Sequence, residues 1–253
     1  MIYFFTGKPG NGKSLHMAEI MYHAIKKGKN VIANFEINEH AFDRVRRKDR
    51  LGTFIYAPNE FLLNNAYKNQ TKRFSYLDGL YNYALQFHKT NSRGQIIEHQ
   101  TLLVIDECQE LFNTRTWNRR DRLEWASFFR QHRKYGYDVY LISQDDKVVD
   151  KQICAVLEYE QEHRCINNYK WFGKLLGALA GGKLFVCITR WYARAGKSDA
   201  HIKSEFFVGK QRYYTFYDSY KVFHDTGKPE PSGVGLTGAG NTLEMSGGAD
   251  TPT

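Results

Sequence analysis

The sequence lacks the cysteine spacings that mark zinc sites and disulfide frameworks. Its four cysteines, Cys108, Cys154, Cys165 and Cys187, are scattered along the chain and form no C-x-x-C pair. This spacing argues against a zinc ribbon and against a small domain held by disulfides. We therefore expect four buried thiols in a reducing cytosol.

The sequence also lacks an apolar run of about 20 residues, the length that a membrane-spanning helix needs. The nearest candidate, Leu175–Ile188, is interrupted by Lys183 and by several glycines, which favours a loop followed by a strand. The chain starts directly with the apolar residues of a strand, so we expect neither a signal peptide nor a membrane span.

Large apolar side chains are almost missing from the last part of the chain. Residues 226–253 are rich in Gly, Ser, Thr and Pro and cannot bury enough surface to offset chain entropy, so we predict a disordered tail. The whole chain has 253 residues, of which 42% are hydrophobic, enough for one sizeable domain. Its net charge of +9 is compatible with nucleic acid, anionic lipid, acidic partners or simple solubility.

One motif stands out near the start of the chain. Residues 7–14 read Gly-Lys-Pro-Gly-Asn-Gly-Lys-Ser and fit the phosphate-binding pattern G-x-x-x-x-G-K-[ST] between an apolar strand and a helix. Backbone N–H groups and the helix dipole favour phosphate at such a turn. Lys13 is predicted to reach the β- and γ-phosphates. The predicted nucleotide-binding residues are Gly7, Lys8, Pro9, Gly10, Asn11, Gly12, Lys13, Ser14 and Leu15.

A second acidic motif follows a buried strand. Leu102–Ile105 is a continuous apolar run that ends in Asp106 and Glu107. In a nucleotide-binding sheet, ligands lie beyond the carboxyl ends of the strands. We predict that Asp106 and the Ser14 hydroxyl bind Mg²⁺ and that Glu107 activates the attacking water. Taken alone, this acidic pair is equally compatible with the start of a helix.

Three further side chains are candidate catalytic groups. Gln144 ends the next strand, where it could position water near the γ-phosphate or simply cap the strand. Arg130 and Arg133 close the preceding helix, and an arginine from a neighbouring subunit can stabilise phosphoryl transfer. Basic residues are also favoured at a helix C-terminus by the dipole alone.

Strands that alternate with helices predict an α/β domain with a mostly parallel sheet. The later strands follow one another without long helices and predict a β-rich extension. The predicted strands are Ile2–Phe5, Asn30–Asn34, Thr53–Tyr56, Leu102–Ile105, Asp138–Ile142, Val156–His163, Leu184–Arg194, Glu205–Val208 and Tyr213–Phe216. The predicted helices are Ser14–Lys27, Asn59–Lys68, Tyr76–Lys89 and Arg120–Tyr135, the last with an apolar stripe of Leu123, Ala126 and Phe129 beside Trp125.

Together these motifs resemble one family. Gly7–Ser14 is followed by Val104-Ile-Asp-Glu-Cys-Gln109, by His132-Arg-Lys-Tyr-Gly136 and by Leu141-Ile-Ser-Gln144. This order is similar to the zonula occludens toxin-like family, the assembly ATPases of filamentous phages. The similarity continues through a short helix start at Val149–Gln152 and through Phe216-Tyr-Asp-Ser-Tyr220, and so covers about residues 1–225.

The resemblance implies a P-loop NTPase fold, a three-layer sandwich of the additional-strand class that includes the HerA/FtsK-like motors. It implies an ATPase domain over 1–225, with a nucleotide-binding core at 1–147 and a β-rich extension at 148–225. It also implies ATP and Mg²⁺ as cofactors and the host cytoplasm, at the periphery of the inner membrane, as the location. The implied partners are further copies in a ring such as a hexamer, phage membrane and assembly proteins, and DNA. Many members continue into a transmembrane helix, whereas this chain continues into a polar tail.

Three functions remain open at this point. The first is a hydrolase motor that moves phage DNA or coat at the inner membrane. The second is a genome-packaging ATPase of an icosahedral virus, which uses the same residues on a different partner. The third is a nucleotide-gated binding protein with slow turnover. Neither the substrate that is moved nor the choice between ATP and GTP can be read from these motifs.

Overall fold

The structure is a computed structural model that describes residues 1–43, 45, 48–57, 76–116, 122–168, 181–194, 197 and 199–217. The predicted helix at 59–68 and the predicted tail at 226–253 lie outside these residues. The eight strands are β1 Ile2–Thr6, β2 Asn30–Ala33, β3 Phe54–Tyr56, β4 Thr101–Ile105, β5 Tyr137–Ile142, β6 Tyr159–Cys165, β7 Leu184–Trp191 and β8 His201–Val208. The α-helices are α1 Lys13–Lys26, α2 Tyr76–Phe87, α3 Arg122–Gln131, α4 Lys151–Cys154 and α5 Gln211–Tyr214.

All eight strands form one sheet in the order β3-β2-β4-β5-β1-β6-β7-β8. The pairs from β3 to β6 are parallel, and β6–β7 and β7–β8 are antiparallel. The mostly parallel sheet and its β-rich continuation were both expected and are confirmed. Strand β5 lies between β1 and β4, as the additional-strand class requires.

The sheet is covered on both faces, and successive strand residues alternate between two cores. Phe4 and Leu103 belong to the core beneath α2, α3 and α4, whereas Phe5 and Leu102 belong to the core beneath α1 and α5. Both cores bury entire aromatic side chains. This double coverage explains why the central strands read as continuous apolar runs.

The prediction of a strand at Tyr213–Phe216 was wrong. Residues 211–214 form helix α5, and Tyr213, Phe216 and Tyr217 are all buried. Tyr213 lies in this helix, and Phe216 and Tyr217 follow shortly after it. Two of the rings, Tyr213 and Phe216, pack edge-to-face on Tyr22 of α1.

The predicted helix at Arg120–Tyr135 is shorter, and its buried face differs from the prediction. Helix α3 ends at Gln131 and a 3-10 turn spans His132–Tyr135, while Arg120 lies outside the described residues. The side chain of Leu123 is 67% exposed, because Trp125, Ala126, Phe128 and Phe129 form the buried face. Leu123 is therefore not part of the apolar stripe.

The expectation of four buried thiols holds for three of them. Cys108, Cys165 and Cys187 are buried and Cys154 is half-buried, and all four are free. Helix α4 begins after Asp150, whose carboxylate accepts a hydrogen bond from the Gln152 backbone N–H, which agrees with the predicted helix start. Among the described residues, no helix combines the length and the apolar character needed to cross a bilayer.

Replacement of Phe128 by alanine tests the assignment of the buried face of α3. The fully buried Phe128 ring packs against Tyr81 and Tyr137, so Phe128→Ala should lower the free energy of unfolding by about 3–5 kcal/mol. Leu123→Ala on the same helix is the matched control and should change it by less than about 0.5 kcal/mol. Urea denaturation measures both values, and a larger loss for Leu123→Ala would contradict the assignment.

Candidate nucleotide-binding site

The glycine-rich loop follows β1 and lies directly against strands β6 and β7 of the β-rich extension. Gly7 has φ 136° and Gly12, the residue before α1, has φ 91°, so both adopt backbone conformations that favour glycine. A Cβ at Gly7 would lie 2.6 Å from the His163 carbonyl oxygen, and one at Gly12 would lie 2.6 Å from the Phe185 ring. Residues of β6 and β7 therefore form a wall behind the loop.

Lys13 is the first residue of α1, and its side chain folds over the loop. Its Nζ donates hydrogen bonds to the carbonyl oxygens of Gly7, at 2.6 Å, and Lys8, at 3.5 Å. Burial lowers the pKa of the Lys13 amine, and the charges of Asp106 and Glu107 act in the opposite direction. The amine therefore lies in the electrostatic field of both acids.

The other predicted loop residues differ in how far they are exposed to solvent. Lys8, Pro9 and Gly10 are exposed, Ser14 is half-buried, and Leu15 belongs to the core beneath α1. Exposure at the tip of the loop leaves its backbone accessible to a ligand.

Asp106 follows β4 and is held by a network of hydrogen bonds. Asn34 uses both ends of its amide, donating to the Asp106 carbonyl and accepting from the Asp106 N–H, each at 2.8 Å. One carboxylate oxygen accepts from the Glu107 N–H at 2.8 Å and the other from the Tyr217 hydroxyl at 2.7 Å. Burial raises the pKa of Asp106, while the bonds from Tyr217 and Glu107 lower it.

Sequence reasoning missed the roles of Asn34 and Tyr217. Asn34 follows β2 and Tyr217 follows α5, so both are far from Asp106 in the chain. Tyr217 lies within the Phe216–Tyr220 match, which gave no indication of what the tyrosine contacts. Asn34 lies at the carboxyl end of a predicted strand, where ligand sites of such sheets are found. This position is the feature of the sequence that could have indicated its role.

Glu107 is held in a left-handed backbone conformation with φ 47°. Such a conformation costs about 1–2 kcal/mol outside glycine, and strain of this kind concentrates at functional sites. The side-chain amide of Gln109 donates to the Glu107 carboxylate. In the sequence, Gln109 was recognised only as part of the family motif. Its contact orients the carboxylate of Glu107, the predicted base.

Gln144 is exposed at the same edge of the sheet, beyond β5. It lines a cavity of about 530 Å³ together with Gly7, Lys8, Asn11, Glu160 and Glu162. Gln144 therefore lies beside the loop. Lys13, Asp106, Glu107 and Gln144 therefore share the carboxyl edge of three neighbouring strands, β4, β5 and β1.

The two candidate arginines lie elsewhere in the fold. Arg130 is exposed in the last turn of α3, and Arg133 contacts Glu158 with Nη2 2.5 Å from Oε2. Both precede β5, so they lie near the amino edge of the sheet. Strand β1 alone, with five residues at about 3.3 Å each, separates this edge from the loop by roughly 16 Å. The fold brings neither arginine to its own loop.

The residues present fit a magnesium ion bound to a nucleotide. The Ser14 hydroxyl and the Asp106 carboxylate are hard oxygen donors, the type that Mg²⁺ prefers. Each Asp106 oxygen accepts one hydrogen bond in the contacts above and keeps a lone pair for a water of the ion.

A family model and several known proteins are similar to this chain. A family model described as zonular occludens toxin (Zot) matches residues 1–168. The gene 1 protein of Enterobacteria phage I2-2 is 29% identical over 189 residues, which cover 72% of this chain and 46% of that protein. The gene 1 protein of Enterobacteria phage fd is 28% identical over 156 residues, which cover 62% of this chain and 39% of that protein. The chain thus spans less than half the length of these two relatives.

A solved structure matches most of the chain. The N-terminal domain of zonular occludens toxin from Neisseria meningitidis aligns with 86% of this chain and 98% of its own, at 16% identity and a TM-score of 0.48. The family assignment depends on the sequence match, which covers 168 of the 253 residues. The chain belongs to the zonular occludens toxin (Zot) family.

Proposed function

We propose that this chain is a Mg²⁺-dependent ATPase that drives phage virion assembly, coupling ATP hydrolysis to movement of phage DNA or coat. The observation that carries the proposal is the convergence of Lys13, Asp106 and Glu107 at one edge of the sheet. The carboxylates of Asp106 and Glu107 act on the buried Lys13 amine, and the amine in turn acts on Asp106. Membership of the Zot family supports the assembly role.

The loop binds the triphosphate through its backbone and through Lys13. In the structure the Lys13 amine donates to carbonyl oxygens of the loop itself. Phosphate oxygens are stronger acceptors for an ammonium group than a neutral carbonyl is. We therefore assign the amine to the β- and γ-phosphates, with the N–H groups at the start of α1 as further donors.

Ser14 and Asp106 hold the metal, and Asn34 and Tyr217 fix the carboxylate that does so. Magnesium, when bound, neutralises charge on the β- and γ-phosphates. Asn34 fixes the backbone of Asp106, and Tyr217 directs one carboxylate oxygen. These two residues position the carboxylate.

Glu107 accepts the proton of the attacking water, and Gln144 orients that water or reads the γ-phosphate. The contact with Gln109 holds the Glu107 carboxylate, so its orientation does not depend on the nucleotide. A carboxylate base next to the metal ligand suits hydrolysis, whereas transfer to a small acceptor has no need of a group that activates water.

Arg133 and Arg130 act on a neighbouring copy of the chain. Neither reaches its own loop, yet both lie at the sheet edge opposite the site, where a ring arrangement can present them to the next subunit. We propose such a ring, with the host cytoplasm beside the inner membrane as its place of action and the basic surface as a contact for DNA or assembly proteins.

Two substitutions separate nucleotide binding from hydrolysis. Lys13→Ala removes the charged donor and should weaken ATP binding by about tenfold to 100-fold and abolish turnover. Glu107→Gln keeps the shape of the site and should retain ATP binding while turnover falls by about 100-fold or more. Binding of a fluorescent ATP analogue and phosphate release measure the two effects. Turnover at the wild-type rate in either variant would remove that residue from its assigned role.

Tyr217→Phe tests the positioning of Asp106. The variant keeps the buried ring and loses one hydrogen bond to a carboxylate, worth about 1.5–3 kcal/mol. We expect the Mg²⁺ concentration for half-maximal ATPase activity to rise about tenfold, with little change in ATP saturation. Tyr213→Phe, which removes a neighbouring hydroxyl that contacts His23, is the control and should leave the Mg²⁺ requirement unchanged. Equal effects from both variants would show that the hydroxyl of Tyr217 only stabilises the fold.

Mixing of variants tests action across subunits. Arg133→Ala alone should lower turnover while ATP still binds, and a mixture with Glu107→Gln should recover part of the activity if the arginine acts in trans. Glu158→Gln is the control, because it removes the partner of Arg133 and leaves the guanidinium in place. Absence of recovery in fully assembled mixtures, with equal stability losses for Arg133→Ala and Glu158→Gln, would identify the pair as structural.

Turnover measured with and without DNA distinguishes the alternatives. An assembly motor should hydrolyse ATP without free DNA, whereas a packaging ATPase should be stimulated by DNA with a steep dependence on salt. A nucleotide-gated binding protein should show partner binding that is unchanged in Glu107→Gln.

A further inference from the structure

Three side chains of metal-ligand type converge behind the glycine-rich loop. His16, His163 and Cys187 each offer one ligand atom, and these atoms all lie within 4.8 Å of one another. They come from α1, β6 and β7. His163 and Cys187 are directly opposite in the antiparallel β6–β7 pair, and Nδ1 of His16 lies 2.8 Å from Nε2 of His163. The sheet register and the helix above it therefore create the cluster.

The cluster is largely buried and lined by aromatic rings. His163 and Cys187 are fully buried, and His16 is partly buried. The His16 ring stacks between Phe5 and Phe207, at centroid distances of 5.5 and 4.7 Å. Nδ1 of His163 is buried and makes no hydrogen bond within the described part of the chain.

Both histidines are in the form that binds metal. Burial lowers the pKa of His16 to about 4 and holds the pKa of His163 well below its usual range, so both rings are neutral at pH 7. Neutral imidazole is the ligand form. One of the two facing nitrogens carries the proton of the His16–His163 hydrogen bond, so that ring shifts its proton to its other nitrogen when both bind the ion. Burial raises the pKa of Cys187 to about 12, with Glu205 adding to the rise and Thr189 and Lys203 opposing it. Metal binding would therefore release the thiol proton.

We propose that His16, His163 and Cys187 bind one divalent transition-metal ion of the Zn²⁺ type, with a fourth position open. Tetrahedral bonds of about 2.0–2.3 Å put ligand atoms about 3.3–3.8 Å apart, so only a small movement of side chains is needed. Two imidazoles and a thiolate select zinc-like ions, whereas Mg²⁺ prefers oxygen. This site is therefore distinct from the nucleotide site and does not depend on the ATPase proposal.

The position of the site links it to the glycine-rich loop. The carbonyl oxygen of His163 accepts a hydrogen bond from Asn11 Nδ2 at 2.9 Å and lies 2.6 Å from the position that a Cβ of Gly7 would take. A metal that ties His163 to His16 would join the strand behind the loop to the helix after it. The ion would thus rigidify the phosphate-binding loop from behind without contacting the nucleotide.

Titration with Co²⁺ and then Zn²⁺ tests the proposal on the whole chain. Protein freed of metal with a chelator, in the absence of nucleotide, should take up one Co²⁺ with the visible bands of tetrahedral cobalt and a thiolate-to-cobalt charge-transfer band. One Zn²⁺ should displace the cobalt, and zinc added to the metal-free protein should release one proton. Absence of the charge-transfer band in wild-type protein would overturn the proposal and leave a hydrogen-bonded histidine pair.

Variants identify the ligands. Cys187→Ala should abolish the charge-transfer band and weaken Zn²⁺ binding by more than about 100-fold, since loss of an outer-shell partner alone costs about 10–100-fold. Cys165→Ala is the matched control, because Cys165 is also buried, on the same face of β6 as His163, and outside the cluster. Equal losses in both variants would contradict the assignment. Where Cys187→Ala does not fold, as judged by circular dichroism, the wild-type cobalt spectrum and proton release decide.

Discussion

The parallel pairing of β5 with both β1 and β4 is the constraint on which the candidate site depends. The register of these pairs aligns Phe5 of β1 with Ile142 of β5, and Ile105 of β4 with Leu141 of β5. The three strands therefore end at nearly the same level. The loop after β1, the acids after β4 and Gln144 after β5 therefore share one edge. A slip of one residue would turn every side chain of a strand to the other face and separate Lys13 from Asp106.

Asp106 connects parts of the chain that a local motif cannot describe. Its backbone is fixed by Asn34 from β2, and its carboxylate contacts Tyr217, which follows α5. The segment around α5 is in turn held on α1 by aromatic packing. Any movement of the Asp106 carboxylate is thus mechanically connected to Tyr217 and, through the segment around α5, to α1. In a motor, such a connection can carry a change at the phosphates to a distant part of the protein.

The sequence predicts the parts of the site that depend on local chemistry. A glycine turn between strand and helix, and an acid after an apolar strand, have physical requirements that few other patterns meet, so Lys13 and Asp106 could be predicted as site candidates. Gln109 and Tyr217 could not be placed, because their roles depend on tertiary contacts. Helix α5 was missed for a different reason: the aromatic residues at 213–217 form a short apolar run typical of a strand, and a helix of four residues is too short to show a helical period.

The β-rich extension forms part of the wall of the candidate nucleotide site. Its strands β6 and β7 contribute His163 and Phe185, the groups that exclude a side chain at Gly7 and at Gly12. The same strands carry the His163–Cys187 pair, which no spacing rule for cysteines detects because the two residues meet only through antiparallel register. The glycine-rich loop is therefore held from two directions, by α1 along the chain and by the extension behind it. The shape of the loop is a property of the whole sheet rather than of the eight residues of the motif.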